Sequence, residues 1–195
     1  MITENAMASY NYLVRRRLWS LVGAKFDIFD AQGRQIGFSK QKAFKLKEDI
    51  RVFKDVSSET PFLEIHARNV IDFSAAYDVF NEAGVCIGTW KRKGMKSLLR
   101  DTWIVEDRVG NEVGLVQEDS LALALLRRSL CSIIPQKYTL STPDGRTAAR
   151  YERCFNPFVF KQRTIIYSEV TIPAMLILGG AILLTAIEGR QYANF

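Results

Sequence analysis

Histidine is nearly absent from this chain, at 1 in 195 residues, and cysteine is sparse at 3. A His-based catalytic triad would rest on His66 alone, and its alternation with Leu63, Ile65 and Ala67 assigns it to the outward side of a strand. Cys86, Cys131 and Cys154 cannot all pair within the chain, and their spacings match no zinc pattern. They read as reduced thiols packed as small hydrophobes, as expected in a cytoplasmic protein. The 5 prolines are scattered singly, with no Pro/Ser/Gly-rich linker and no low-complexity run, so the expectation is a single domain over residues 1–195 with its core at about 10–188. No Gly-rich phosphate loop, His-Glu-x-x-His or Gly-x-Ser-x-Gly occurs, which removes the enzyme classes built on those motifs. The chain is read as a non-enzyme that calls for no cofactor. Met1 to Asn11 lacks a basic start followed by an apolar core, and Leu18 to Ala24 after the arginines is too short for an export signal.

What remains is an ordinary globular composition with a basic balance. Hydrophobic residues make up 48% and charged residues 25%, the net charge is +6, and the isoelectric point is near 9.3. A mean hydropathy of −0.04 excludes a multi-spanning membrane protein. The positive balance favours encounters with acidic partners, whether phospholipid headgroups or nucleic acid.

Four segments share one spacing: Phe26 to Gly33, Tyr77 to Gly84, Trp103 to Gly110 and Tyr138 to Gly145. Each opens with an aromatic and has an aliphatic two places on, so both fall on one face of a strand. Asp30, Asn81, Asp107 or Thr142 follows at the fourth place, a residue able to start a type I turn. Gly33, Gly84, Gly110 or Gly145 comes three places later, where a left-handed residue closes a hairpin with a bulge. A hydrophobe ten places from each start is followed by Gly37, Gly88, Gly114 or Ala149, a mark of close backbone approach. Further strands are expected at Phe44–Leu46 with Ile50–Val52, at Leu63–Ala67 and at Val159–Tyr167. Glu118-Asp119-Ser120 reads as the opening of one short surface helix that ends near Arg127-Arg128.

Val170 to Ile187 carries no charge. As a helix it would span about 27 Å at ~1.5 Å per residue, just short of a ~30 Å hydrocarbon core. A helix apolar all round must be buried, either in lipid or in protein. A closed barrel of many strands offers the second option, because its wide lumen has to be filled. The core-helix reading is taken, with a membrane anchor as its alternative.

The opening Tyr12-Leu13-Val14-Arg15-Arg16-Arg17-Leu18-Trp19-Ser20-Leu21, followed by Phe26 to Gly33, resembles the start of the LURP-one-related proteins and phospholipid scramblases. With the repeated hairpins and the terminal apolar segment, the resemblance runs from about Tyr10 to Glu188. That superfamily includes the Tubby C-terminal domain. The resemblance implies a closed antiparallel barrel of about twelve strands around a hydrophobic C-terminal central helix. It also implies phosphoinositide binding through basic surface residues, as in Tubby domains. The scramblases' cysteine-rich cluster and proline-rich N-terminal tail are missing. So is a convincing calcium loop, since Glu48-Asp49, Glu106-Asp107 and Glu118-Asp119 are isolated pairs. No metal site is expected, and calcium-dependent scrambling is not carried over.

Two basic clusters are the candidate sites. Lys91, Arg92, Lys93, Lys96 and Arg100, interleaved with Trp90, Met95 and Leu98-Leu99, suit an anionic membrane surface, where each cation contributes about 1 kcal/mol. Arg15, Arg16 and Arg17 form the second, and strict alternation puts at least one of them opposite its neighbours. The same lysines could simply guard a solvated strand edge. No recognised module supports nucleic acid as the partner. The expectation is therefore peripheral binding of anionic phospholipid or phosphoinositide headgroups, as a cytoplasmic, membrane-tethered adaptor. A protein-interaction scaffold without lipid binding and a protein anchored by its C-terminal segment are the alternatives.

Overall fold

The computed structural model describes residues 10–17, 25–39, 49–69, 75–93, 102–118, 137–154, 159–167 and 171–191. The strands are β1 (Tyr10–Arg17), β2 (Lys25–Phe29), β3 (Gln35–Ser39), β4 (Ile50–Phe53), β5 (Leu63–Asn69), β6 (Ala76–Asn81), β7 (Cys86–Arg92), β8 (Thr102–Glu106), β9 (Glu112–Glu118), β10 (Lys137–Ser141), β11 (Thr147–Cys154) and β12 (Val159–Ile166), followed by helix α1 (Ala174–Gln191). Each strand pairs antiparallel with its sequence neighbours, and β12 closes on β1, so the sheet is a barrel without an edge. Closure runs in register from Tyr10 opposite Ile166 to Arg17 opposite Val159.

The repeated spacing builds four hairpins of one geometry. In each, the turn residue's carbonyl accepts from the glycine N–H, at 3.0 Å for Gly33, 2.9 Å for Gly84, 3.2 Å for Gly110 and 2.9 Å for Gly145. The four glycines have φ of +76°, +70°, +93° and +84°, which side-chain-bearing residues reach only at a cost. One place before the turn residue, the register of every one of these hairpins shifts by a bulge. Because an antiparallel meander alternates its ends, β2–β3, β6–β7, β8–β9 and β10–β11 all turn at the same rim. Turn hydrogen bonds hold the Asp107 carboxyl below its ordinary value, chiefly through the Asn111 side chain. The Thr142 hydroxyl does the same for Asp144, helped by Arg146.

The lumen is filled by α1. Leu176, Ile177, Leu178, Ile182, Leu183 and Leu184 are all buried against the inward strand residues. No helix among the described residues is long and apolar enough to cross a membrane. Pro173 precedes the first turn, where its carbonyl accepts from Leu176 and Ile177. Gly179-Gly180 is the contact with the wall. A Cβ on Gly180 would lie 1.9 Å from Trp90 Cζ2, and one on Gly179 would lie 3.1 Å from the Val79 methyls. The missing side chain lets the Trp90 ring reach the helix backbone, where Nε1 donates to the Leu176 carbonyl at 3.1 Å. Tyr151 donates to the Ile177 carbonyl at 3.2 Å, and its burial pushes the phenol well above its ordinary pKa. Trp90→Phe removes one of these donors, so its denaturant midpoint should fall by an amount equivalent to about 1 kcal/mol or more. A midpoint equal to the unmodified protein's would show that the bond contributes nothing.

Three expectations need adjusting. Glu118 ends β9 and is buried rather than opening a helix; the proposed surface helix otherwise lies outside the described residues. Cys86 and Cys154 are free thiols that are only half-buried, because both sit on the outer side of their strands. Cys131 lies outside the described residues, as do Phe44 to Leu46. The helix also runs past Ile187 to Gln191, through Glu188 and Arg190.

Candidate cationic groove on the barrel flank

Strand alternation splits both runs of consecutive cations. On β7, Trp90 faces the lumen, so Arg92, opposite buried Trp103, faces inward too, while Lys91 points out. Lys91 Nζ is 2.7 Å from Glu106 Oε1, and its charge is already matched. Lys93 is exposed, and Lys96 and Arg100 lie outside the described residues. The first candidate cluster is therefore not assembled among the described residues: one member is paired, one is turned inward and one is an exposed cation. On β1, Tyr12, Val14 and Arg16 are buried on the inner face, with Arg16 8% exposed. Arg15 points outward, and Arg17 closes the strand opposite Lys25 and Val159.

The outer surface has two unlike flanks. Across β4 to β8 the cations are matched by carboxylates: Arg51 with Glu64 at 3.4 Å, Arg68 with Asp78 at 2.6 Å, Lys54 with Glu82 at 2.7 Å and Lys91 with Glu106. His66 belongs to this flank, 2.9 Å from Glu64 Oε2 and stacked on Phe80. Across β11, β12, β1 and β2 the balance is different. Lys25, Arg150, Lys161 and Arg163 make no ion pair among the described residues. Arg15 sits directly opposite Lys161 across the β1–β12 ladder, and Leu13 sits opposite Arg163. Like charges at opposed positions destabilise a sheet, and here the Asp27 carboxylate offsets the Arg15 charge.

Between these strands and the β2–β3 turn runs a groove of about 530 Å³, with Leu13, Arg15, Phe29, Asp30, Lys161 and Arg163 on its walls. Arg15 is fixed there from two sides. Its Nε and Nη2 donate to Asp27 Oδ2 at 3.2 and 2.8 Å, and its guanidinium lies 4.7 Å from the Phe29 ring centroid. Asp27 is itself almost wholly buried, which makes the pair a rigid support rather than a surface contact. The groove's other carboxylate, Asp30, is engaged by Arg34 Nε at 2.7 Å and by the Gln32 and Arg34 N–H groups. Desolvation opposes the ionised form, but the hydrogen bonds from Arg34 and Gln32 outweigh it and lower the Asp30 pKa. Lys161 and Arg163 stand beside an apolar wall of Leu13 and Phe29 and make no ion pair among the described residues, since Glu152, opposite Arg163 on β11, lies 3.8 Å from Lys137 instead. That arrangement can hold an anion by direct charge-assisted bonds with an apolar group next to it. Among the described residues no cluster of three or more His, Cys, Asp or Glu could hold a metal ion.

Lys161 and Arg163 were not among the candidate residues read from the sequence. The signal was present in Val159-Phe160-Lys161-Gln162-Arg163-Thr164, where alternation alone puts both cations on one face.

Comparison with known proteins bears on the fold. No family model matches the chain, and no curated protein matches it. Among solved structures it is similar to the X-ray structure of a protein from Arabidopsis thaliana, with a TM-score of 0.52 and 13% identity over 92% of each chain.

Proposed function

We propose that the barrel is a non-enzymatic module of the Tubby-like superfamily that binds anionic phospholipid peripherally, as a cytoplasmic, membrane-tethered adaptor. The observation that carries this reading is the unmatched pair Lys161 and Arg163 beside Arg15 and Phe29, on a flank where Lys25 and Arg150 are unmatched too. The resemblance of Tyr12 to Gly33 to the LURP-one-related and scramblase proteins supports it independently. Arg15, already held by Asp27 and Phe29, loses little further freedom when an anionic surface meets it. The proposed site is the β12–β1–β2 flank rather than the Lys91 to Arg100 segment, because Lys91 is matched by Glu106 and Arg92 faces inward, whereas Lys161 and Arg163 make no ion pair among the described residues.

Co-sedimentation with phosphatidylcholine vesicles, alone and carrying phosphatidylglycerol, tests the reading. The protein should pellet only with the anionic vesicles. It should be released as salt rises towards about 1 M, where the screening length falls from about 10 Å to about 3 Å. Retention at high salt would instead indicate insertion by an apolar segment. No pelleting with either vesicle would favour the protein-interaction scaffold.

A further inference from the structure

Resting on that reading, the geometry points to a specific headgroup class: we propose that the groove takes the phosphomonoester of a lipid such as phosphatidate, not the diester of an ordinary anionic phospholipid and not a polyphosphorylated inositol ring. Charge matching within the groove selects the monoester. Arg15 is matched by Asp27 and Asp30 by Arg34, and Glu152, which faces Arg163 from β11, lies 3.8 Å from Lys137 instead, so Lys161 and Arg163 leave the groove lining with a net charge of two. A phosphomonoester carries about −1.5 to −2 at neutral pH. A diester carries only one charge and leaves a cation unmatched, while an inositol bisphosphate brings more negative charge than the groove can match.

Spacing agrees. Lys161 lies across the ladder from Arg15, at about 5 Å between facing side-chain roots, and Arg163 lies two residues along β12, about 7 Å away. Three cationic side chains with flexible ends can converge on one tetrahedral group over that span, with the Arg15 guanidinium already held. Leu13 and Phe29 then flank the site where a glycerol backbone and the start of an acyl chain would leave it. A free sugar phosphate offers no apolar part to occupy that wall, so the lipid is the favoured source of the group.

The charged and titratable groups around the groove are Arg15 on β1, Lys25 and Asp27 on β2, Asp30 and Arg34 in the following turn, Glu152 and the Cys154 thiol on β11, and Lys161 and Arg163 on β12. No histidine is among them, and His66 lies on the opposite flank. A change in affinity between about pH 5.5 and 7.5 therefore reports the ligand's second ionisation, near pH 6.

The test uses the full chain and phosphatidylcholine vesicles carrying phosphatidate, phosphatidylglycerol or phosphatidylinositol bisphosphate, matched in surface charge. Phosphatidate vesicles should bind several-fold more tightly than either of the others, and that preference should grow from about pH 5.5 to 7.5. Lys161→Ala and Arg163→Ala should each lower phosphatidate binding by about fivefold and abolish the preference. Lys161→Gln serves if Lys161→Ala does not fold. Arg150→Ala, on the same flank but outside the groove, should leave the preference intact. Equal binding of phosphatidate and phosphatidylglycerol overturns the headgroup assignment while leaving anionic-lipid binding standing. Tighter binding of the bisphosphate overturns it in the other direction, and displacement by millimolar glycerol 3-phosphate would show that the acyl part is irrelevant. Failure of all three vesicles to bind removes the functional reading itself.

Discussion

A chain ended at Glu169 should give no folded protein: no cooperative thermal transition, and recovery only in the insoluble fraction. The truncation removes Leu176, Ile177, Leu178, Ile182, Leu183 and Leu184, each 2% exposed or less. At roughly 1.5–3 kcal/mol per buried side chain, their loss is on the order of 10 kcal/mol, against a whole-domain stability of about 5–15 kcal/mol. It also strands the inward faces of the strands around an empty lumen and leaves Trp90 Nε1 and the Tyr151 hydroxyl without their acceptors. Leu178→Asp is the single-residue counterpart. An unpaired carboxylate in the middle of the lumen should abolish soluble expression. A membrane anchor behaves in the opposite way, since its removal releases a soluble, folded remainder. A monomeric 1–169 fragment with a sharp melting transition would contradict the filled barrel.

Gly180→Ala should destabilise by about 3 kcal/mol or more, although alanine is the better helix former by about 1 kcal/mol. The added methyl would fall 1.9 Å from Trp90 Cζ2, so either the ring or the helix must move. Movement of either pulls Nε1 away from the Leu176 carbonyl. Gly179→Ala is the internal comparison: its Cβ meets the Val79 methyls at 3.1 Å, a contact that a small shift relieves. Denaturant unfolding of the two variants should therefore separate them clearly, with Gly180→Ala the less stable. Equal stabilities, or a stabilised Gly180→Ala, would mean that the helix does not sit under Trp90.

These two cases also show why the fold was largely legible in the sequence and the groove was not. The hairpins depend on local chemistry: an Asx or Thr turn residue, a glycine at a left-handed position, and alternating aromatic and aliphatic residues before them. All of that lies within eight consecutive residues. The apolar run from Val170 declares itself by the charges it lacks, and a barrel gives it a place to go. Its end was misjudged because Glu188 looked like a boundary, whereas α1 continues to Gln191. Glu118 belongs to the end of β9, and the rest of the expected surface helix lies outside the described residues.

The groove depends on closure. Arg15 and Lys161 become neighbours only because β12 returns to β1, and neither local sequence reports the other. Consecutive cations on a strand do not share a face, so a charge run in the sequence is divided between the two sides of the wall. Lys91-Arg92-Lys93 looked like a patch, yet it sends Arg92 to the lumen side and Lys91 to Glu106. Conversely, Lys161 and Arg163, separated by Gln162, looked unremarkable and emerge side by side on the outer face. Whether a carboxylate on a neighbouring strand reaches a cation decides if that cation is available, and that depends on register and on the carboxylate's other partners.

The central claim is therefore positional, and one measurement addresses it: co-sedimentation with phosphatidylcholine vesicles carrying phosphatidate, for two double variants that each remove two positive charges. Lys161→Ala with Arg163→Ala should lose most of the binding. Lys91→Ala with Lys93→Ala should bind within about twofold of the unmodified protein, because the Lys91 charge is already matched by Glu106 and Lys93 is a lone surface charge. Equal losses in both variants would reduce the groove to a share of the overall charge, and a larger loss from the β7 variant would place the site where the sequence first put it.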